Sequence, residues 1–410
     1  MSERYPGGII SKTPPTITGP TDGEGGSASG MWNLTDVAEN EKAGTWPKRI
    51  IPRLMYTSGI AAFGVNGQND GIIYSSPVQL GSDEGWSDIS SNGLNQYAIK
   101  NGEMYAWGIA SDGSLGDNQA AFNRSSPVQI GAGLSWASVN SSGVSSSTTV
   151  AAITDNGELY TWGSDGGIGA LGHNSIGDKS SPTQVGALTN WLKVVPSESS
   201  GCIGIKTDGT LWSWGANLNG EVGDNTKTSK SSPVQIGSDT DWADCARADQ
   251  HSSYAIKTDG SLYVWGRNPT GELGTNDRVF KSSPVQIASD VEWSSASGAY
   301  YGAFAIDTSN RLWVIGGYQN EGEFGLGDRI RRSSPVQVGA LTNWSSVNSE
   351  TSTVAIKTDG TLWAWGQNYA GFVGDGTTAD RSSPVQVGAE TTWSAVSARN
   401  GTSFALLGVV

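Results

Sequence analysis

The sequence predicts an all-β chain: a seven-bladed β-propeller preceded by an extended N-terminal arm that carries one short helix. Three observations point there. The segment Ser-Pro-Val-Gln, with threonine for valine once, recurs at Pro77, Pro127, Pro182, Pro233, Pro284, Pro335 and Pro384, at intervals of 49 to 55 residues. A fixed period of this size marks one supersecondary unit built repeatedly. A tryptophan follows every copy, at Trp86, Trp136, Trp191, Trp242, Trp293, Trp344 and Trp393. Finally, the first copy, Arg53 to Gly81, holds only the second half of the unit, and the last, Trp393 to Val410, only the first half. Six whole units and two complementary halves make seven blades, the seventh assembled from both chain ends. Such closure removes the open sheet edges that a linear array would have to cap.

The unit is least disturbed from Trp344 to Gly388. Val354 to Lys357 is apolar and β-branched, and Leu362 to Trp365 returns. Between them Asp359-Gly360 is expected to supply the positive-φ residues of a two-residue type I′ turn. The same turn is expected at Asn101-Gly102, Asn156-Gly157, Asp208-Gly209, Asp259-Gly260 and Ser309-Asn310. On the returning strand Leu362 and Ala364 point one way, Trp363 and Trp365 the other, so both faces should be buried between neighbouring sheets of a ring. Trp107, Trp162, Trp214, Trp265 and Trp365 should therefore lie in the core between blades. In the first copy Ala61-Ala62-Phe63-Gly64 is expected to take the place of the tryptophan-glycine strand.

The ordered motifs Ala-Ile-Lys-Thr-Asp-Gly-x-Leu-Trp-x-Trp-Gly, a Gly-x-x-Gly-Asp loop and Ser-Ser-Pro-Val-Gln-Val-Gly closely resemble the regulator of chromosome condensation repeat family over residues 53 to 410. The resemblance implies a seven-bladed propeller. In the family that fold serves guanine-nucleotide exchange on a small GTPase, chromatin docking and general protein interaction, and fold alone does not select among them. The family's usual histidine after the Gly-x-x element is absent from most copies, with His251 read as the one near that place.

Composition narrows the function classes. The 410 residues carry a net charge of −14. Residues 1 to 52 contribute about −1, so the acidity sits on the propeller and argues against nucleic-acid binding or attachment to anionic membranes. Arg329, Arg331 and Arg332 lie together in one loop, which reads as a solvated loop. Two cysteines, Cys202 and Cys245, fall in different units and read as small buried hydrophobes, and two histidines cannot build a metal site. Asp-Gly loops such as Gly223-Asp224 and Gly374-Asp375 recur in step with the repeat and lack calcium-loop spacing, so they read as turn formers. No cofactor and no catalytic set is expected, hence no enzyme. No secretory leader follows Met1 and no apolar run is long enough to insert in a membrane.

Residues 1 to 52 form a separate arm. Residues 6 to 30 are too rich in Gly, Pro, Ser and Thr to bury a core. A short helix is expected after them, capped by Asn33 and stopped by Gly44. The runs from Tyr5 to Thr16 and from Ala28 to Pro47 resemble the leader of virion proteins of marine tailed bacteriophages. That resemblance implies a structural virion protein, made in the host cytoplasm. The arm would bind other virion proteins through Ile9, Ile10, Met31, Trp32, Leu34, Val37 and Trp46, and the propeller would be displayed toward host envelope glycan or protein; a homo-oligomer is compatible with this layout. Two alternatives stand beside it: a protein-interaction or exchange-factor-like propeller inside a cell, and a polysaccharide-binding or polysaccharide-degrading propeller. In all three, the connections between the first two strands of each unit gather on one face and supply a candidate recognition surface. Its members are Asn95, Gln96, Glu198, Asp249, Gln250, His251, Tyr300, Tyr301, Glu350, Arg399 and Asn400.

Overall fold

The computed structural model describes residues 53–59, 64–119, 122–143, 148–197, 200–248, 251–317, 322–399 and 402–408. Within them seven four-stranded antiparallel sheets follow one another. Blades 1 to 6 are each continuous in sequence and begin at Trp86, Trp136, Trp191, Trp242, Trp293 and Trp344. In each, four strands run in order from the axis outward. Blade 6 is representative: Trp344–Ser349, Ser352–Lys357, Leu362–Gly366 and Arg381–Val387.

Blade 7 joins both chain ends, as the split repeat predicts. Its inner strands are Trp393–Arg399 and Thr402–Gly408, and its outer strands are Arg53–Gly59 and Tyr74–Gln79. Seven residue pairs, from Arg53↔Gly408 to Gly59↔Thr402, zip the ends together. The register corrects one expectation. Gly59 opposite Thr402 matches Gly366 opposite Ser352, so Ser58-Gly59 stands at the tryptophan-glycine position. Residues 61 to 63 lie outside the described residues.

The turns between second and third strands also differ from expectation. Only Asn101-Gly102 has positive φ at both central residues, 53° and 77°. At the other sites the loop is longer and only its last residue is left-handed, as at Gly360 (φ 75°), whose N–H bonds to Lys357 O at 2.9 Å. This is a type I turn closed by a left-handed residue. The carboxylate of Asp359 adds to this turn, accepting from Thr361 N–H at 3.0 Å and Thr361 Oγ1 at 2.6 Å. Asn310 (φ 58°) takes the glycine place in blade 5.

Burial of the returning strand is less symmetric than its composition suggests. Leu362, Ala364 and Trp365 are buried, but Trp363 is half-buried. It sits edge-on to Trp344 at 6.1 Å, with Lys357 Nζ 3.3 Å from its ring centre. The same aromatic, cation, aromatic stack holds Lys206 between Trp191 and Trp212 and Lys257 between Trp242 and Tyr263. A long cationic stem covers the outer ring while its charge remains favourably placed over the π-faces. Cys202 and Cys245 are free and buried, and burial pushes both thiols up to about 12.

Each blade interface is built from the sequence motifs. Trp107, Trp162, Trp214, Trp265 and Trp365 are all at most 1% exposed. Their indole N–H groups donate to a loop carbonyl of the preceding blade: Val65, Ser114, Ala170, Glu221 and Glu323, at 2.8 to 3.0 Å. The Gly-x-x-Gly element exists to receive the next blade. A Cβ on Gly220 would lie 2.5 Å from Ser282 Cα, and one on Gly223 would lie 2.5 Å from Trp265 Nε1. Only glycine permits both approaches, and both positions also have positive φ. Just beyond, a left-handed residue donates its N–H to the second-blade serine: Asn69 to Ser125, Asn118 to Ser180, Asn174 to Ser231, Asn225 to Ser282, Asn276 to Ser333, Gly327 to Ser382 and Gly376 to Ser75. All seven interfaces carry this bond, closure included.

Candidate functional site

An antiparallel four-stranded blade sends its connections alternately to two faces, so the loops between strands one and two share a face with the loops between strands three and four. The sequence points to the former as the candidate recognition surface. The structure finds most of its described members inside. Asn95 is fully buried, donating from Nδ2 to Ser114 Oγ at 2.6 Å and accepting from Ile109 N–H at 2.8 Å. Gln96, Glu350 and Arg399 are 1, 2 and 8% exposed. Arg399 reaches from blade 7 to blade 2, where its Nη1 donates to Ser142 Oγ at 3.0 Å. All four are buried and offer little surface to a partner, and Arg399 bridges blades beside the axis. Tyr300 and Tyr301 are half-buried and pack edge to face on each other at 4.5 Å. His251 is half-buried at φ 69°. The histidine that actually follows a Gly-x-x-Gly element is His173, whose Nε2 lies 3.0 Å from Thr161 Oγ1. Glu198, Asp249, Gln250 and Asn400 lie outside the described residues, as do Ile9, Ile10, Met31, Trp32, Leu34, Val37 and Trp46 of the arm.

Inside these loops the first strands enclose an axial cavity of about 270 Å³. Its wall is stitched from blade to blade by side chains accepting backbone N–H groups: Ser90 Oγ from Ser141, Asn348 Oδ1 from Ala398, Ser397 Oγ from Ser91, Asp88 from Val139 and Asp244 from Ala296. Lys193 pairs with Asp244. At Asp88 the equivalent place in the preceding blade is Ala395, and burial raises that carboxyl to about 6 against the pull of the N–H groups of Val139 and Ile89. The polar groups lining the cavity thus hold the blades in register.

The longer loops between strands three and four are different. Six of the seven are fastened by a clasp, in which a loop carboxylate grips a residue at or shortly before the outer strand, and in blade 2 Asp165 instead accepts the N–H groups of Gly169, Leu171 and Gly177. The pairs are Arg124 with Asp117, Lys230 with Asp224, Lys281 with Asp277, Arg332 with Asp328 and Arg381 with Asp375, at 2.6 to 3.0 Å. In blade 7 the hydroxyl of Tyr74 donates to Asp70 at 2.7 Å. The ammonium of Lys281 holds the Asp277 carboxyl down at about 2. The recurring aspartates are therefore occupied as loop formers.

On these fastened loops every blade exposes at least one large apolar side chain. They are Phe122 in blade 1, Ile176 in blade 2, Leu218 in blade 3, Val279 and Phe280 in blade 4, Ile330 in blade 5, Tyr369 in blade 6, and Ile72 and Ile73 in blade 7. Leu218 is 75% and Ile176 70% exposed. Exposed apolar groups placed singly are ordinary; one or more on the same loop of all seven blades makes a ring of anchors on one face. Sequence reasoning missed this ring. Its signal was present as an isoleucine or phenylalanine one to three residues before the outer strand in several copies.

Comparison with known proteins agrees with this architecture. The model of the regulator of chromosome condensation (RCC1) repeat matches residues 208–254, 259–306 and 359–406. The chain is 31% identical over 297 residues to the ultraviolet-B receptor UVR8 of Arabidopsis thaliana, covering 70% of this chain and 66% of that protein. It is 31% identical over 275 residues to the mitochondrial RCC1 domain-containing protein RUG3 of the same plant, covering 62% of this chain and 59% of that one. The chain thus spans less than two thirds of either relative. Prp20p from Saccharomyces cerevisiae superposes with a TM-score of 0.75 at 17% identity, over 88% of this chain and 93% of that structure. The chain is a seven-bladed β-propeller that carries regulator of chromosome condensation repeats.

Proposed function

We propose that this protein is a protein-interaction platform that engages its partner through the face bearing the loops between strands three and four. The observation that carries the reading is the ring of exposed apolar anchors, present on that loop in every blade and held in six of them by a side-chain clasp. Loops on a rigid scaffold, with large apolar tips and a polar surround, are what a protein interface is built from. Relatives with the same repeats support it: Prp20p has been described together with its binding to Gsp1p and histones. The partner of this chain is its own question, since a shared fold does not carry a partner across.

The role is one of binding and not of catalysis, because the carboxylates that recur through the loops are spent on the clasps. The protein-interaction alternative thereby takes precedence over the virion reading. The virion reading rested on residues 1–52, outside the described residues, and neither the matched repeats nor the relatives bear on it. The test compares two variants for capture of endogenous partners. One carries Phe122→Ser, Ile176→Ser, Phe280→Ser and Ile330→Ser; the other carries Leu188→Ser and Leu341→Ser, exposed positions on the opposite face. Loss of capture in the first alone is expected. Loss only in the second would reverse the assignment of faces.

A further inference from the structure

Three consecutive blades add charge to that face. Lys227, Arg278 and Arg329 occupy one equivalent position, three residues before the clasp bases Lys230, Lys281 and Arg332. The other four blades have Gly71, Ala121, Ile176 and Thr378 there. In blades 3, 4 and 5 the loop carboxylate is already committed to the second base, at 3.0, 2.8 and 2.6 Å. The leading base is left over. Lys227, Arg278 and Arg329 are exposed and make no ion pair among the described residues. In blades 3 and 4 the loop glutamates do not neutralise them at the surface. Glu221 is buried beneath its loop, accepting from Asn219 N–H and Nδ2, and Glu272 is buried accepting from Thr270 N–H. Leu218, Val279, Phe280 and Ile330 are exposed on the same three loops.

We propose that blades 3, 4 and 5 form a docking sector for an acidic protein segment that carries apolar side chains. The inference rests on the interaction face above and adds the partner's chemistry. Local charge complementarity selects the occupant: three cations that make no ion pair among the described residues, interleaved with four apolar tips, attract a carboxylate-bearing segment and orient it along the arc. A nucleic acid fits less well, because three phosphate contacts release few counterions and the rest of the propeller repels the backbone. A second copy of the chain is disfavoured by like net charge.

The test uses the full chain and a fluorescent synthetic peptide of glutamates with interspersed leucine and phenylalanine, read by anisotropy. Comparison probes are the same peptide with serine at the apolar positions and a short DNA duplex. The wild-type chain should bind the first peptide, more weakly as salt is raised, and the serine peptide poorly. The variant K227E/R278E/R329E, with unchanged thermal unfolding, should lose affinity by about tenfold or more, since exposed pairs contribute modestly each and add. The pair Leu188→Ser and Leu341→Ser should bind as wild type. If the charge-reversed chain binds equally while Phe280→Ser with Ile330→Ser abolishes binding, the face stands and the basic arc is overturned. Tighter binding of the duplex overturns the partner class. Absence of peptide binding by the wild-type chain overturns the proposal.

Discussion

The interface between blades 5 and 6 and the one between blades 6 and 7 use the same motifs and differ most in one side chain. At the first, Trp365 fills the space between sheets. Its ring meets Trp344 and Phe304 at 5.9 and 6.0 Å, and its N–H donates to Glu323 O at 2.8 Å. At the second, Ser58 stands in that place, and a cavity of about 20 Å³ lined by Val354, Leu362, Ala364, Val373, Val387 and Ala405 remains. Both interfaces nevertheless keep the backbone bond from loop to outer-strand serine, Gly327 to Ser382 and Gly376 to Ser75, each at 2.7 Å. The indole supplies packing energy. The loop's position comes from backbone bonds common to the ring and from its clasp, which leaves the loop tips free to vary without moving the scaffold.

That contrast breaks first if closure is not cooperative. Deleting residues 393–410 removes two strands of blade 7 and the seven pairs that zip the ends; calorimetry should then show no single cooperative transition. A melt like the parent's would refute closure by both ends. Next, Trp365→Ala should destabilise by about 3 to 5 kcal/mol, whereas Ser58→Ala should stay below about 1 kcal/mol, because only the former opens a large hole. Denaturant titration of the pair measures the difference directly. Gly325→Ala and Gly374→Ala sharpen it further. Both strain a positive φ, 70° and 74°, but a Cβ at Gly325 would lie 2.7 Å from Trp365 Nε1 and one at Gly374 only 3.4 Å from Ser58 Oγ. The first should cost more, by about 1 kcal/mol or above.

The smallest effect is a pH dependence in the inner ring, where Asp88 lacks the lysine that Asp244 has in Lys193. The folded carboxyl of Asp88, raised to about 6, lies above its unfolded value of 3.8. The folded state therefore binds the extra proton between those values, and this residue's contribution to stability rises as pH falls through about 6 and is lost as pH rises again. The term is on the order of 1 kcal/mol for a half-buried group. Asp88→Asn should flatten the pH dependence of unfolding in that window. An unchanged slope would show that the raised carboxyl does not govern it.

Much of the scaffold was legible because the same residues recur in order: blade number, closure and the buried indoles all follow from repeat phase. The turn type was not, because Asp359-Gly360 reads alike whether the loop has two residues or one more, and only the backbone bond from Gly360 N–H to Lys357 O decides. Ser58-Gly59 escaped notice because a serine carries no signature of a tryptophan position; register had to supply it. The candidate site failed for a related reason. Asn95, Gln96, Glu350 and Arg399 are polar and variable, the usual marks of surface recognition, yet all four are buried. The apolar anchors were passed over because a lone isoleucine in a polar loop, such as Ile330, means little until the same loop of every other blade shows an exposed apolar group as well.

The most direct test of the interaction face is site-specific photo-crosslinking. A photoreactive amino acid is placed in turn at Phe280, on a loop between strands three and four, and at Leu341, on the opposite face; both are exposed, so neither substitution disturbs the core. The account predicts a crosslinked partner from position 280 and none from position 341. Crosslinking from 341 alone would contradict it.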